Sequence, residues 1–84
     1  MPKAKDLIKE IGMNLSGMLP YSNWTVGMTG DPDRRHRELD FPGFWRVWAA
    51  DDELEARQVV EHFITEGANR DSGGARAGRF VYMF

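Results

Sequence analysis

The residues with the most chemical potential lie in NWTVGMTGDPDRRHREL, residues 23–39, where Arg34, Arg35, His36 and Arg37 follow one another directly. Arginine's planar fork presents donors to two oxygens at once, so such a block can receive a phosphate or a carboxylate. The same block also reads as an ordinary charged helix face. Glu61 stands four residues after Arg57, and His62 four before Glu66, the spacing of surface ion pairs along a helix. The segment Asp71-Ser72-Gly73-Gly74 offers backbone amides that could cradle a phosphate. It lacks the Gly-Lys-Ser/Thr ending of a nucleotide-binding loop, which favours a plain connection. Trp24, Trp45 and Trp48 are better read as core residues than as stacking platforms for bases.

These side chains must be positioned by short elements. Leu7, Ile8, Ile11, Leu15, Met18 and Leu19 recur at three- and four-residue intervals, which predicts an amphipathic helix over 4–19 ended by Pro20. Its apolar stripe is expected to pack on a sheet, or alternatively to pair with a second copy or a protein partner. Residues 24–28 read as a strand with Trp24, Val26 and Met28 on one face and Thr25, Gly27 and Thr29 on the other. Asp31-Pro32 is a helix start, Asp31 as the cap and Pro32 in the first turn, for a short helix over about 32–39 carrying an Asp33–Arg37 pair. The aromatic and β-branched run FWRVWAA, 44–50, is a second strand. Asp51 or Asp52 then caps a helix with Leu54, Ala56, Val59, Val60, Phe63 and Ile64 inward and Gly67 as its stop. Residues 68–78 read as a glycine-rich mobile loop and 79–84 as a last strand. The order α-β-α-β-α-β predicts a small α/β (α+β) domain, a three-stranded sheet flanked by helices.

The 84 residues make one domain, 1–84, with no room for a second core. Absence of cysteine removes disulfides, thiolate metal sites and a thiol nucleophile, and fits a reducing, cytoplasmic setting. The opening MPKAKDLIKEIG lacks the apolar core of a signal peptide, and no apolar run reaches the ~18 residues of a membrane span. Thirteen acids against eleven bases leave a net charge of −2, which disfavours a non-specific nucleic-acid binder. A local positive face on the arginine block remains compatible with that balance.

Val26-Gly27-Met28-Thr29, followed by Arg35 and then by Glu61 within EARQVVEHFI, resembles the second half of the GIY-YIG endonuclease domain. In that family a strand ending Tyr-Ile-Gly-x-Thr leads into a helix with a catalytic arginine, and a later helix carries a metal-binding glutamate. The resemblance covers about residues 24–66. It implies that Arg35 contacts the phosphate and that Glu61 holds one divalent cation, Mg²⁺ if the domain is active. Two features depart from the family. Thr25 occupies the position of the second tyrosine, and the Gly-Ile-Tyr strand that should precede the motif is absent. The closing strand Phe80-Val81-Tyr82 reads like that missing strand, and its pairing beside residues 24–28 would bring Tyr82 to the site by circular permutation.

Threonine does not ionise usefully near neutral pH, and general acid–base help is worth ~10²–10⁴-fold, so Thr25 implies a catalytically degenerate domain. His36 is a weak substitute base, because its side chain leaves the helix ~100° away from that of Arg35. The expected function is binding of nucleic acid or another phosphate-bearing partner through Arg34, Arg35 and Arg37. The alternatives are an active Mg²⁺-dependent nuclease using Arg35, Glu61 and Tyr82, and a small protein-interaction module.

Overall fold

A computed structural model describes residues 3–14, 21–71 and 78–84. Helix α1 spans Ala4–Asn14, and a 3₁₀ turn at Tyr21–Asn23 leads into strand β1, Thr25–Thr29. Helix α2 is Pro32–Glu38, β2 is Arg46–Ala49 and α3 is Glu53–Thr65. Strands β3, Asn69–Arg70, and β4, Phe80–Met83, complete an α+β fold. Expected features at Leu15 to Pro20 and at Ser72-Gly73-Gly74 lie outside the described residues.

The sheet has four strands in the order β2-β4-β1-β3. The sequence predicts three. The fourth, β3, is two residues within the expected loop 68–78, and it runs parallel to β1 with Thr25 opposite Asn69 and Val26 opposite Arg70. Strand β4 lies in the middle, antiparallel to both β1 and β2. It occupies the place beside residues 24–28 that the sequence leaves vacant, with Gly27 facing Tyr82 across the pair.

Strand alternation divides the sheet into two faces. Val26, Met28, Val81 and Met83 point to one of them and meet Leu7 and Ile11 of α1 and Ala56, Val59, Val60 and Phe63 of α3 in a single core. The apolar stripe of α1 is thus buried within the fold, with Leu7 and Ile11 fully covered, while Met13 stands outside it. Gly27, Thr29 and Tyr82 share the opposite face, which α2 approaches through Arg35.

The helix ends follow the sequence signals. Asp31 accepts from the Arg34 amide at 3.1 Å and Pro32 opens α2. Asp52 caps α3 by accepting from the Glu55 amide at 2.9 Å. Both helices close with the same pair of hydrogen bonds. In α3, Gly67 N–H donates to the Ile64 carbonyl and Ala68 N–H to that of Phe63. In α2, Asp40 N–H donates to Arg37 and Phe41 N–H to His36. This motif needs a left-handed residue, ordinarily glycine. Gly67 supplies it in α3 at φ 115°, whereas in α2 the position is held by Asp40 at φ 60°, followed by Phe41 at φ 53°. A left-handed L-residue costs roughly 1–2 kcal/mol, less for aspartate than for phenylalanine. The expected Asp33–Arg37 pair does not form; Glu38 instead receives Arg34 at 3.3 Å and Arg35 at 3.2 Å.

Candidate functional site

Tyr82 and Arg35 meet on the face of the sheet opposite α1 and α3. Gly27 makes this possible. A Cβ there would lie 2.5 Å from the Tyr82 hydroxyl oxygen and 2.6 Å from Cζ, so only glycine lets the phenol cross β1. The ring is fully buried, stacked on Trp45 at 5.0 Å between centroids. Trp45 in turn stacks on His36 at 4.6 Å and 12°, and Phe41 meets the His36 ring edge-on at 5.1 Å. The aromatic row thus runs from the interior at Tyr82 to the surface at Phe41.

The acid that closes this site is Asp71, one residue past β3. Arg35 grips it with both ends of its fork, Nη2 donating to Oδ1 at 2.9 Å and to Oδ2 at 2.8 Å, and Nε to Oδ2 at 3.1 Å. Nε also donates to the Tyr82 hydroxyl at 3.2 Å, and Nη1 to Glu38 at 3.2 Å. The Tyr82 hydroxyl donates its own proton to Asp71. The Arg35 and Asp71 side chains are 12% and 8% exposed, so the pair sits at low dielectric. A bidentate geometry with a third partner is what makes such burial tolerable.

These contacts set the protonation states. Burial opposes the charged guanidinium, yet the bonds to Asp71, Tyr82 and Glu38 outweigh it and raise the Arg35 pKa above the ordinary arginine value. For Tyr82, burial first and the bond to Asp71 second push the pKa above the usual tyrosine range, while Arg35 pulls it back in part. The phenol is therefore a neutral donor at physiological pH.

The remaining residues singled out by the sequence are distributed around this clamp. Glu61 is not part of it. Its carboxylate bonds Arg70 at 2.8 Å, and Arg70 shares register with Val26, on the helix-covered face. Asp71, the next residue along, alternates to the Tyr82 face. The sheet thus stands between Glu61 and the Arg35–Tyr82 pair, and the three do not converge. Among the described residues no three His, Cys, Asp or Glu side chains cluster as a multidentate metal site would require. Glu61 beside a cationic Arg70 is a poor fit to Mg²⁺, which takes several oxygens in an octahedral arrangement. Thr25 pairs with Asn69 at one margin of the sheet and exchanges both backbone bonds with Phe84. His36 is enclosed between Trp45 and Phe41, with its Nε2 buried and unpartnered. Arg34 and Arg37 lie exposed on the outer side of α2, Arg34 against Glu38 and Arg37 without an ion pair among the described residues. His62 contacts Glu66 at 3.8 Å, as their spacing predicts, and Arg57 pairs with Glu53.

Sequence alone does not assign the Asp71 carboxylate or Glu38 to Arg35; Asp71 falls in the segment 68–78 that composition marks as a loop, where only its backbone is singled out. Its signal was positional. After the stop at Gly67, Asn69 and Asp71 are two apart, so any strand formed there places both on one face. No helix among the described residues is long and apolar enough to cross a membrane. No protein-family model matches the chain, nor does any curated protein or solved structure.

Proposed function

We propose that this chain is a catalytically silent, GIY-YIG-like domain that binds nucleic acid or another phosphate-bearing partner through α2. The observation carrying this reading is the closed Arg35–Asp71–Tyr82 clamp. Its arginine already holds Asp71, Tyr82 and Glu38, and its tyrosine donates to Asp71, an arrangement that favours a structural role over phosphodiester chemistry. What the clamp supports is rigidity. A seven-residue helix is far too short to persist alone, and Arg35 ties it to Asp71 and to the central strand. Arg34 and Arg37, one turn apart, are then presented outward from a fixed backbone.

The test is fluorescence anisotropy with a labelled oligonucleotide, single-stranded and duplex, across salt concentrations and with Mg²⁺ present. Binding is expected to weaken with salt, because each phosphate contact releases counterions. Each of Arg34→Ala and Arg37→Ala should lower the salt slope by about one. The oligonucleotide should stay intact. Absence of binding at low salt, or a slope unchanged in both variants, would refute the proposal, and cleavage abolished by Glu61→Ala would replace it with the nuclease reading.

A further inference from the structure

We infer that the chain pairs with a second copy of itself through the free edge of β2, joining two sheets into one. This is independent of what α2 binds. The ladder geometry fixes which backbone groups are free. Phe84 exchanges both backbone bonds with Thr25, so Phe80, Tyr82 and Phe84 turn their N–H and C=O groups toward β1. Arg79, Val81 and Met83 turn theirs toward β2, and the Ala50 N–H accordingly donates to the Arg79 carbonyl at 2.7 Å. The register commits Arg46, Trp48 and Ala50 to β4 and leaves the backbone groups of Val47 and Ala49 pointing away from the sheet. No strand lies on that side of β2, and neither residue has a backbone partner there among the described residues. A row of unpaired donors and acceptors is a template for another strand.

The two edges of the sheet differ. Strand β3 is polar and only two residues long, which blunts its edge. Strand β2 has four residues, RVWA, with neither lysine nor proline to guard it. Its one charge, Arg46, folds back over the Phe44 ring at 4.7 Å and donates to the Trp45 carbonyl at 3.3 Å. Self-complementarity selects a second copy as the occupant. An antiparallel partner must set outward residues against outward residues, so the register can change only in steps of two. Centred on Val47, the pairing places Val47 opposite Val47, and by symmetry twice places Trp45 opposite Ala49 and Arg46 opposite Trp48. A large ring then meets a small side chain, and a cation meets an indole at the closely spaced position of the ladder. One step in one direction brings Arg46 against Arg46, a like-charge pair. One step in the other sets Arg46 against Ala50 and loses the cation–aromatic contact. Because β3 is too short to receive β2, the assembly closes as a two-fold dimer and does not grow head to tail. Residues 45–49 of two copies bury less than the ~1,200 Å² of long-lived complexes, so the dimer is a reversible one.

The experiment is sedimentation equilibrium of the wild-type chain, Val47→Lys and Leu54→Ser from about 10 μM to about 1 mM, the range of small reversible interfaces. Circular dichroism confirms the fold of each variant. The wild type is expected to dimerise with rising concentration. Val47→Lys sets two ammonium groups against each other across the two-fold axis and should weaken the dimer by about tenfold or more. Leu54→Ser removes an exposed apolar side chain from α3, away from the edge, and should leave the dimer unchanged. A cross-link supplies a second readout, since the chain has no cysteine of its own. In the inferred register the two Cα atoms at position 47 stand ~5.5 Å apart, within disulfide reach. Mild oxidation should therefore link Val47→Cys chains into dimers and leave Ala49→Cys chains unlinked. A wild type monomeric at every concentration, a Val47→Lys dimer as tight as the wild type, or equal cross-linking at positions 47 and 49 overturns the inference.

Discussion

Substituting Gly27 by alanine should damage this protein through one contact that can be specified in advance. The new Cβ would sit 2.6 Å from Cζ of Tyr82 and 2.5 Å from its hydroxyl oxygen. Carbon atoms pack at about 3.5–4.0 Å, so the ring must retreat by about 1 Å. It has nowhere easy to go, being fully buried with Trp45 stacked on it. Retreat also lengthens the 3.2 Å bond from Arg35 beyond useful range. Overpacking costs about 1–3 kcal/mol, and loss of a hydrogen bond to a charged group about 1.5–3 kcal/mol. The reduced freedom of the unfolded chain returns about 0.4–1 kcal/mol. A net loss of about 2–4 kcal/mol follows. In a domain of this size it appears as a fall in Tm of roughly 10–25 °C. Urea and thermal unfolding measure it, and a double-mutant cycle with Tyr82→Leu isolates its cause. Once the phenol is gone, Gly27→Ala should be nearly neutral. A similar cost in both backgrounds, or a wild-type loss below about 0.5 kcal/mol, refutes the account, since surface-like substitutions fall in that range.

The clamp and the strained turn give three more expectations. Asp71→Asn strips the buried Arg35 of its counter-charge and should cost about 3 kcal/mol by urea unfolding, moderated because Glu38 still contacts the guanidinium. Tyr82 has a folded pKa raised above its unfolded value, so its contribution to stability is complete below about pH 10 and is lost as pH climbs above that. Stability measured between pH 8 and 11 should fall more steeply in the wild type than in Tyr82→Phe. Asp40→Gly relieves a left-handed aspartate and should stabilise by about 1 kcal/mol in the same assay.

The parts of the fold that were legible in the sequence rest on local chemistry. Asp31-Pro32 and Asp52 cap helices because short acceptors and a fixed φ act within one turn. The alternation of Val26 and Met28 against Gly27 and Thr29 assigned the faces of β1, and the aromatic closing strand pointed to its place beside them. What could not be read depends on partners distant in sequence. Strand β3 is two polar residues with no intrinsic β preference; it is extended because Thr25 and Val26 lie alongside. Asp71 acquires meaning only through that pairing. Glu61 occupies a reasonable position along the chain but the wrong side of the sheet, because α3 covers the face that Arg70 shares with Val26. Spacing along the chain carries no information about which face of a sheet a helix will cover.

The central position of β4 has a kinetic consequence. Strands β1 and β2 never touch; each is joined to the sheet through β4, the last of the four to be synthesised. Until residues 80–83 arrive, the only β-pairing among the described residues open to the chain is the two-residue contact of β1 with β3. That is far below the three strands or so a sheet needs to stand alone. Closing β1 onto β4 also spans more than fifty residues, an entropic barrier that local helix formation does not lower. A nascent chain would therefore remain open on the ribosome until its final strand cleared the exit. Its sheet would then close late, with the edges of β1 and β2 that receive β4 unpaired in the meantime.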